Sequence, residues 1–125
     1  MEQPCCLAFV DDEKLRSQLE VLFKAKKIDH YFIRQGEQVV QLVKNWMPFM
    51  LLVGLTSTSS GWLFRYIAAI EALHSSFPIV AFVSNDAEEA VWQRAETYGC
   101  SFVFKESELL QELPDIIENI LTKKS

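Results

Sequence analysis

Glycine is scarce, with 4 in 125 residues, and no two of them form a Gly-x-Gly pair. The chain therefore carries neither a dinucleotide fingerprint nor a P-loop. Cysteine is scarce and oddly placed: 3 in all, with Cys5 and Cys6 adjacent and Cys100 far away. That pattern suits neither a disulfide framework nor a C-x-x-C zinc site, so all of them read as small core residues, with a thiol role for Cys100 beside Gly99 left open. Positive charge is in deficit, 12 Lys and Arg against 17 Asp and Glu for a net charge of −5 and a pI near 5.0. No basic run exceeds the pairs Lys26–Lys27 and Lys123–Lys124, which argues against a nucleic-acid surface. No apolar run reaches the ~18 residues that a membrane span needs, and the N-terminal stretch MEQPCCLAFVDDEK has no basic signal segment. The expectation is a soluble, cytoplasmic protein. His30 and His74 stand far apart without ligand spacing.

What is present is apolar material in short pieces. With 50% hydrophobic residues in 125, the chain is long enough for one core and too short for two ordinary domains, so residues 1–125 read as a single domain. Runs rich in Val, Ile and Phe at 5–10, 30–33, 49–55, 78–84 and 101–105 read as strands. Between them the apolar residues recur at helical spacing: Leu15, Leu19, Leu22 and Phe23; Val39, Val40 and Val43; Leu63, Ile67, Ile70 and Leu73; Ala87, Ala90, Val91 and Ala95. A last stripe runs through Ile116, Ile117, Ile120 and Leu121. Pro114 fits the first turn of that helix, and Ser107 to Glu112 read as a separate preceding turn. Strands apolar throughout imply burial on both faces, and strict alternation of strand and helix implies a parallel sheet between helical layers. The expected fold is α/β, a five-stranded, doubly wound parallel sheet of flavodoxin-like, three-layer α/β/α form. In such sheets chemistry gathers at the carboxyl ends of the strands, which draws attention to Asp11 and Asp12, Gly54, Val83 and Ser84, and Lys105.

With FVDDE at 9–13, Pro-x-x-Leu-Leu-Val-x-Leu at 48–55 followed by a loop and Gly61, PIVAFVSND at 78–86 and YGCSFVFK at 98–105, the chain resembles the receiver domain of two-component response regulators over nearly its whole length. The resemblance implies that Asp11 and Asp12 take the place of the acidic pair that helps hold Mg²⁺, and that Gly54 stands where the phosphoacceptor aspartate would be. It places Val83 at the switch hydroxyl, with Ser84 one residue late, Phe102 at the inward-turning aromatic and Lys105 at the phosphoryl-binding lysine. Glu106 replaces the proline that usually follows that lysine. Glycine offers no atom to attack phosphorus or to complete a metal's oxygen shell, so the resemblance implies a receiver without phosphorylation, and Mg²⁺ binding at Asp11 and Asp12 is expected to be weak.

Each retained residue also has a plainer role. Asp12 fits a helix N-cap, Lys105 an ion pair with the two carboxylates, and Phe102 the core. The expected function is a signalling module that acts by protein contact and is not an enzyme, since no nucleophile–base pair or metal-ligand cluster is legible. A protein partner or a second copy would bind through the face of the fourth helix, fifth strand and fifth helix, where Trp92, Arg94 and Tyr98 are candidates; Trp92 is either tucked against the sheet or presented. The alternative is a small flavodoxin-like nucleotide or anion binder that uses the hydroxyl-rich Thr56–Gly61 loop.

Overall fold

The structure is a computed structural model and describes residues 4–33, 38–55, 60–73 and 76–123. Strands and helices alternate along it: β1 (Cys5–Phe9), α1 (Glu13–Ala25), β2 (Asp29–Phe32), α2 (Gln38–Trp46), β3 (Met50–Leu55), α3 (Ser60–Leu73), β4 (Ile79–Val83), α4 (Glu89–Tyr98), β5 (Phe102–Lys105) and α5 (Glu106–Lys123). The strands form one sheet in the order β2-β1-β3-β4-β5, every adjacent pair parallel. The sheet grows outward from β1 in both directions, so the helices divide between its faces and the order reverses between β1 and β3. That reversal opens the crevice of a doubly wound sheet at the strands' carboxyl ends.

Side chains alternate across each strand, and this divides the core in two. Met50 and Leu52 of β3 join Leu15, Leu19 and Phe23 of α1 and Leu109, Leu113 and Ile117 of α5 on one face. Leu51, Val53 and Leu55 join Val43 of α2, Phe64, Ile67 and Ile70 of α3 and Ala95 of α4 on the other. Burial on both faces is why these strands are continuous apolar runs. Leu73, expected on the apolar stripe of α3, lies at its exposed end, and the side chains of Val39 and Leu63 lie outside the described residues. The cysteines behave as small apolar residues: Cys6 and Cys100 are buried and Cys5 half-buried. Burial pushes the Cys100 thiol up to about 12 and raises that of Cys6, with Cys5 beside it adding to the shift. Thiols held protonated in this way are poor nucleophiles.

One local expectation fails. Residues 106–123 form a single helix with Pro114 inside it, rather than a separate turn followed by a helix that starts at the proline. Proline removes one intrahelical hydrogen bond and costs about 3 kcal/mol in a helix interior. Against this, Leu109 and Leu113 are fully exposure-free, and burying a leucine contributes about 1.5–3 kcal/mol. Both leucines extend the same stripe as Ile116, Ile117 and Ile120, and they can reach the core only if the helix is continuous.

Candidate functional site

At the carboxyl ends of the strands, each residue singled out in the sequence has a definite place. Asp11 and Asp12 follow β1, both exposed. Asp12 is the N-cap of α1: its Oδ1 accepts the backbone N–H groups of Lys14 at 2.9 Å and Leu15 at 3.3 Å. This satisfies two of the donors that a helix start leaves without partners. Of the two readings of Asp12, the geometry therefore supplies the capping one directly.

Gly54 lies near the end of β3, in register with Phe82 of β4. Phe82 is buried and belongs to the core layer beneath α1 and α5. A Cβ built on Gly54 would stand 2.6 Å from Phe82 Cζ, with the two Cε atoms at 3.1 and 3.2 Å. Adjacent strands are about 4.8 Å apart, so a ring that leans sideways along the sheet occupies the space its neighbour leaves empty. Here the ring tip crowds the place where the first atom of any side chain at residue 54 would have to be. The glycine and the phenylalanine form one packing unit, and the polar cavity expected at such a position is filled with hydrocarbon.

Val83 ends β4 with its side chain buried in the opposite layer, and it offers no hydroxyl. Ser84 starts the following loop, its carbonyl accepting Ala87 N–H at 3.0 Å. The next residue, Asn85, reaches across: its Oδ1 accepts Ser107 N–H at 2.9 Å in the first turn of α5. Glu108 Oε1 in turn accepts the N–H of Lys105 at 3.2 Å. With Lys105 as the cap residue, Glu108 makes the returning half of a capping box, and Asn85 supplies the other half from a different loop. Helix α5 thus begins directly at Glu106, and the loop after β4 is tied to its start.

The Lys105 side chain is exposed. Lys26 and Glu118 form an ion pair at 3.1 Å, and His30 Nε2 stands 3.9 Å from Glu20. Among the described residues no such contact involves Lys105, so the expected pairing with Asp11 and Asp12 does not form. Phe102 lies at the other end of β5, half-buried against the α1/α5 layer. Its ring stacks on Phe104 with centroids 6.4 Å apart. Residues 56–59, the core of the proposed anion-binding loop, lie outside the described residues; Ser60 and Gly61 begin α3.

Trp92, Arg94 and Tyr98 do not form one patch. Trp92 packs against the layer of α2, α3 and α4. The Arg94 guanidinium lies 4.9 Å from the Phe64 ring centroid, and Tyr98 stacks on the same ring at 5.0 Å. Arg94 and Tyr98 thus join α4 to α3, on the side away from the expected face with β5 and α5.

As a Mg²⁺ site the end of the sheet is a poor fit. One oxygen of Asp12 is engaged in the cap, position 54 has no side chain, and the Phe82 ring covers it. Among the described residues no three His, Cys, Asp or Glu side chains gather as a metal would require. The carboxylates left to a cation are Asp11 and Asp12, one oxygen of the latter already in the cap, and Mg²⁺ held by them would keep most of its waters. Two residues that shape the site, Phe82 and Asn85, were not singled out from the sequence. The available signal was register: aligning the ends of the runs 49–55 and 78–84 sets the glycine beside a phenylalanine.

No protein-family model and no curated protein matches the sequence. Solved structures do. The chain is similar to a two-component response regulator from Clostridium difficile at 16% identity, covering 98% of this chain and 99% of that one with a TM-score of 0.82. It is similar to the receiver domain of a Francisella response regulator at 14% identity, over 98% and 100% of the chains with a TM-score of 0.79. The signal receiver domain of a modulated diguanylate cyclase from Desulfovibrio desulfuricans G20 matches at 21% identity, 98% and 97% coverage and a TM-score of 0.75. At these identities the likeness establishes the fold, which is the receiver fold, of flavodoxin-like type.

Proposed function

We propose that this chain is a receiver-like signalling module that takes no phosphate and works by contact with another protein. The observation that carries the reading is the Gly54–Phe82 unit, with Phe82 Cζ 2.6 Å from the position of a Cβ at residue 54. Phosphorylation of a receiver needs a carboxylate to attack phosphorus, a cation to neutralise the charge that develops, and room for both. Here the carboxylate is missing, its space is filled and the donor set does not suit Mg²⁺. The cap-forming contacts of Asp12, Asn85 and Glu108 support the same reading, because they give residues near the crevice a structural task.

A module that cannot be switched by phosphate either holds one conformation or is shifted by a partner that prefers one of two. The surface we assign to a protein partner is that of α4, β5 and α5. Strand β5 is an edge of the sheet, and its Phe102, Val103 and Phe104 are only half-buried. Arg94 and Tyr98, engaged with Phe64, contribute little there. No described helix is long and apolar enough to cross a membrane.

The test is intact-mass measurement after incubation with acetyl phosphate and Mg²⁺. The expected result is no adduct on the wild-type chain. The triple variant Gly54→Asp/Phe82→Ala/Val83→Thr, which restores nucleophile, space and hydroxyl together, should gain a hydroxylamine-sensitive phosphate. A stoichiometric adduct on the wild-type chain would overturn the reading.

A further inference from the structure

Strand β2 forms the other edge of the sheet. On its inner side Asp29 N–H donates to Pro4 O at 2.9 Å and Ile33 N–H to Ala8 O at 2.7 Å. Successive residues of a strand turn their backbone groups to opposite sides, so His30 and Phe32 direct N–H and C=O outward. Beside this edge stands apolar surface that the fold does not use. Tyr31 is 37% exposed, Trp46 46% and Met47 83%, with the Tyr31 and Trp46 rings 5.4 Å apart. Met47 has φ 48°, in the left-handed region that favours glycine and costs a side-chain-bearing residue about 1 kcal/mol. A methionine held there with its side chain in water gains nothing within one copy of the chain.

The edge is also polar along its length. At the carboxyl end of β2 the groove against α1 is lined by Glu13 and Glu20 with Arg16, an excess of acid. At the amino end it is lined by Lys24 and Lys27 with Asp29, an excess of base. An antiparallel arrangement of two such edges sets base against acid at both ends.

We propose that two copies of this chain pair through β2 about a two-fold axis, joining their sheets into one, with Tyr31 opposite the partner's Tyr31. The outward backbone groups select this register. With Tyr31 on the axis, His30 and Phe32 each face the other residue of the partner subunit, and both outward rows are hydrogen-bonded. Centring on His30 would set Phe32 opposite Ile28, whose N–H is already given to Phe23 O at 2.8 Å. Tyr31 then falls in a pair without mutual hydrogen bonds, where side chains approach most closely, and Trp46 and Met47 flank the axis. The arrangement removes an exposed sheet edge, which isolated sheets otherwise blunt by other means. It is isologous, as a closed dimer requires, and it does not depend on the reading of Gly54.

The register gives a direct test in a Cys5→Ala background, the remaining cysteines being buried. Paired positions of this kind lie about 4.5 Å apart between Cα atoms, within the range of about 4.4–6.8 Å that a disulfide spans. Oxidised Tyr31→Cys should therefore run as a covalent dimer, and Asp29→Cys should not. His30→Pro removes the outward N–H together with an imidazole that lies 5.3 Å from the Phe23 and Phe32 rings, so it is read against His30→Ala, which keeps the N–H. Proline, tolerated on an edge strand, should weaken self-association in sedimentation about tenfold or more beyond alanine. The variants Lys24→Glu/Lys27→Glu and Glu13→Lys/Glu20→Lys should each lose the homodimer and pair with one another when mixed. A wild-type chain that stays monomeric at millimolar concentration overturns the proposal, including the case where the edge takes a strand from a different protein. So does a dimer that neither His30→Pro weakens nor position 31 cross-links.

Discussion

The crevice end of the sheet and the β2 edge make opposite use of similar material. At the crevice, Asp12 caps α1, Asn85 and Glu108 cap α5, and Phe82 fills the space over Gly54. Several polar groups there serve the chain's own structure, while Asp11 and the Lys105 side chain stay exposed. At the β2 edge, Tyr31 and Trp46 stay partly exposed and Met47 mostly so, and the fold leaves that apolar surface uncovered. Side chains that look functional can be structural, and side chains that do nothing for stability are the better pointer to a partner. If this contrast is right, substitutions at the crevice cost stability and substitutions at the edge cost association only.

The largest expected effect is at residue 54. Gly54→Asp should lower unfolding free energy by about 3 kcal/mol or more, from overpacking against Phe82 together with a carboxylate placed against an aromatic ring. Adding Phe82→Ala should return part of this, giving a coupling of at least about 1 kcal/mol in a urea-denaturation double-mutant cycle. Additivity would break the claim that the two residues are one unit.

Next is the response to alkali. The Cys100 thiol is raised by burial from 9.0 to about 12, so the folded chain holds a proton that the unfolded chain releases. The stability this contributes is complete below pH 9.0 and is lost as pH rises toward about 12. The thermal midpoint should fall across that window, and Cys100→Ala should flatten the fall.

Asn85→Ala should cost about 1 kcal/mol, the worth of a helix cap, and should speed amide exchange in residues 84–88 without changing self-association. Unaltered exchange there would mean the clamp on α5 is idle. Arg94→Ala should cost about 0.5–1 kcal/mol through its loss from the Phe64 ring, again with no change in association. A loss of partner binding at unchanged stability would move Arg94 back to an interface. The smallest effect carries the sharpest contrast. Met47→Gly should raise stability by about 0.5–1 kcal/mol, because glycine accepts the left-handed conformation without cost, while weakening the dimer. Stabilisation with the dimer intact would remove Met47 from the edge contact.

Much of this molecule is legible locally. All five strands and most of the helical stripes follow from apolar spacing, with Leu73 and Ala90 left exposed, because burial on one or both faces writes its period into the chain. The vacancy at Gly54 and the capping role open to Asp12 follow from position at a strand end. Three matters were misread or missed for a common reason. Pro114 was judged by its own local penalty, although Leu109 and Leu113, farther up the same helix, outweigh it. Arg94 and Tyr98 were weighed as partner-surface residues with the Phe64 ring that they meet on α3 left out of view. Phe82 was passed over as one more apolar residue in a strand.

Element types and the absence of a side chain at residue 54 were set by the order of residues alone, since periodicity and the identity of a side chain are properties of the chain. Which ring lies over Gly54, which loop caps α5 and which aromatic side chains remain in water were decided only when the sheet brought residues 54 and 82, or 85 and 107, side by side. Packing is a relation between distant segments, and its energy depends on shape and register, neither of which can be read along one strand.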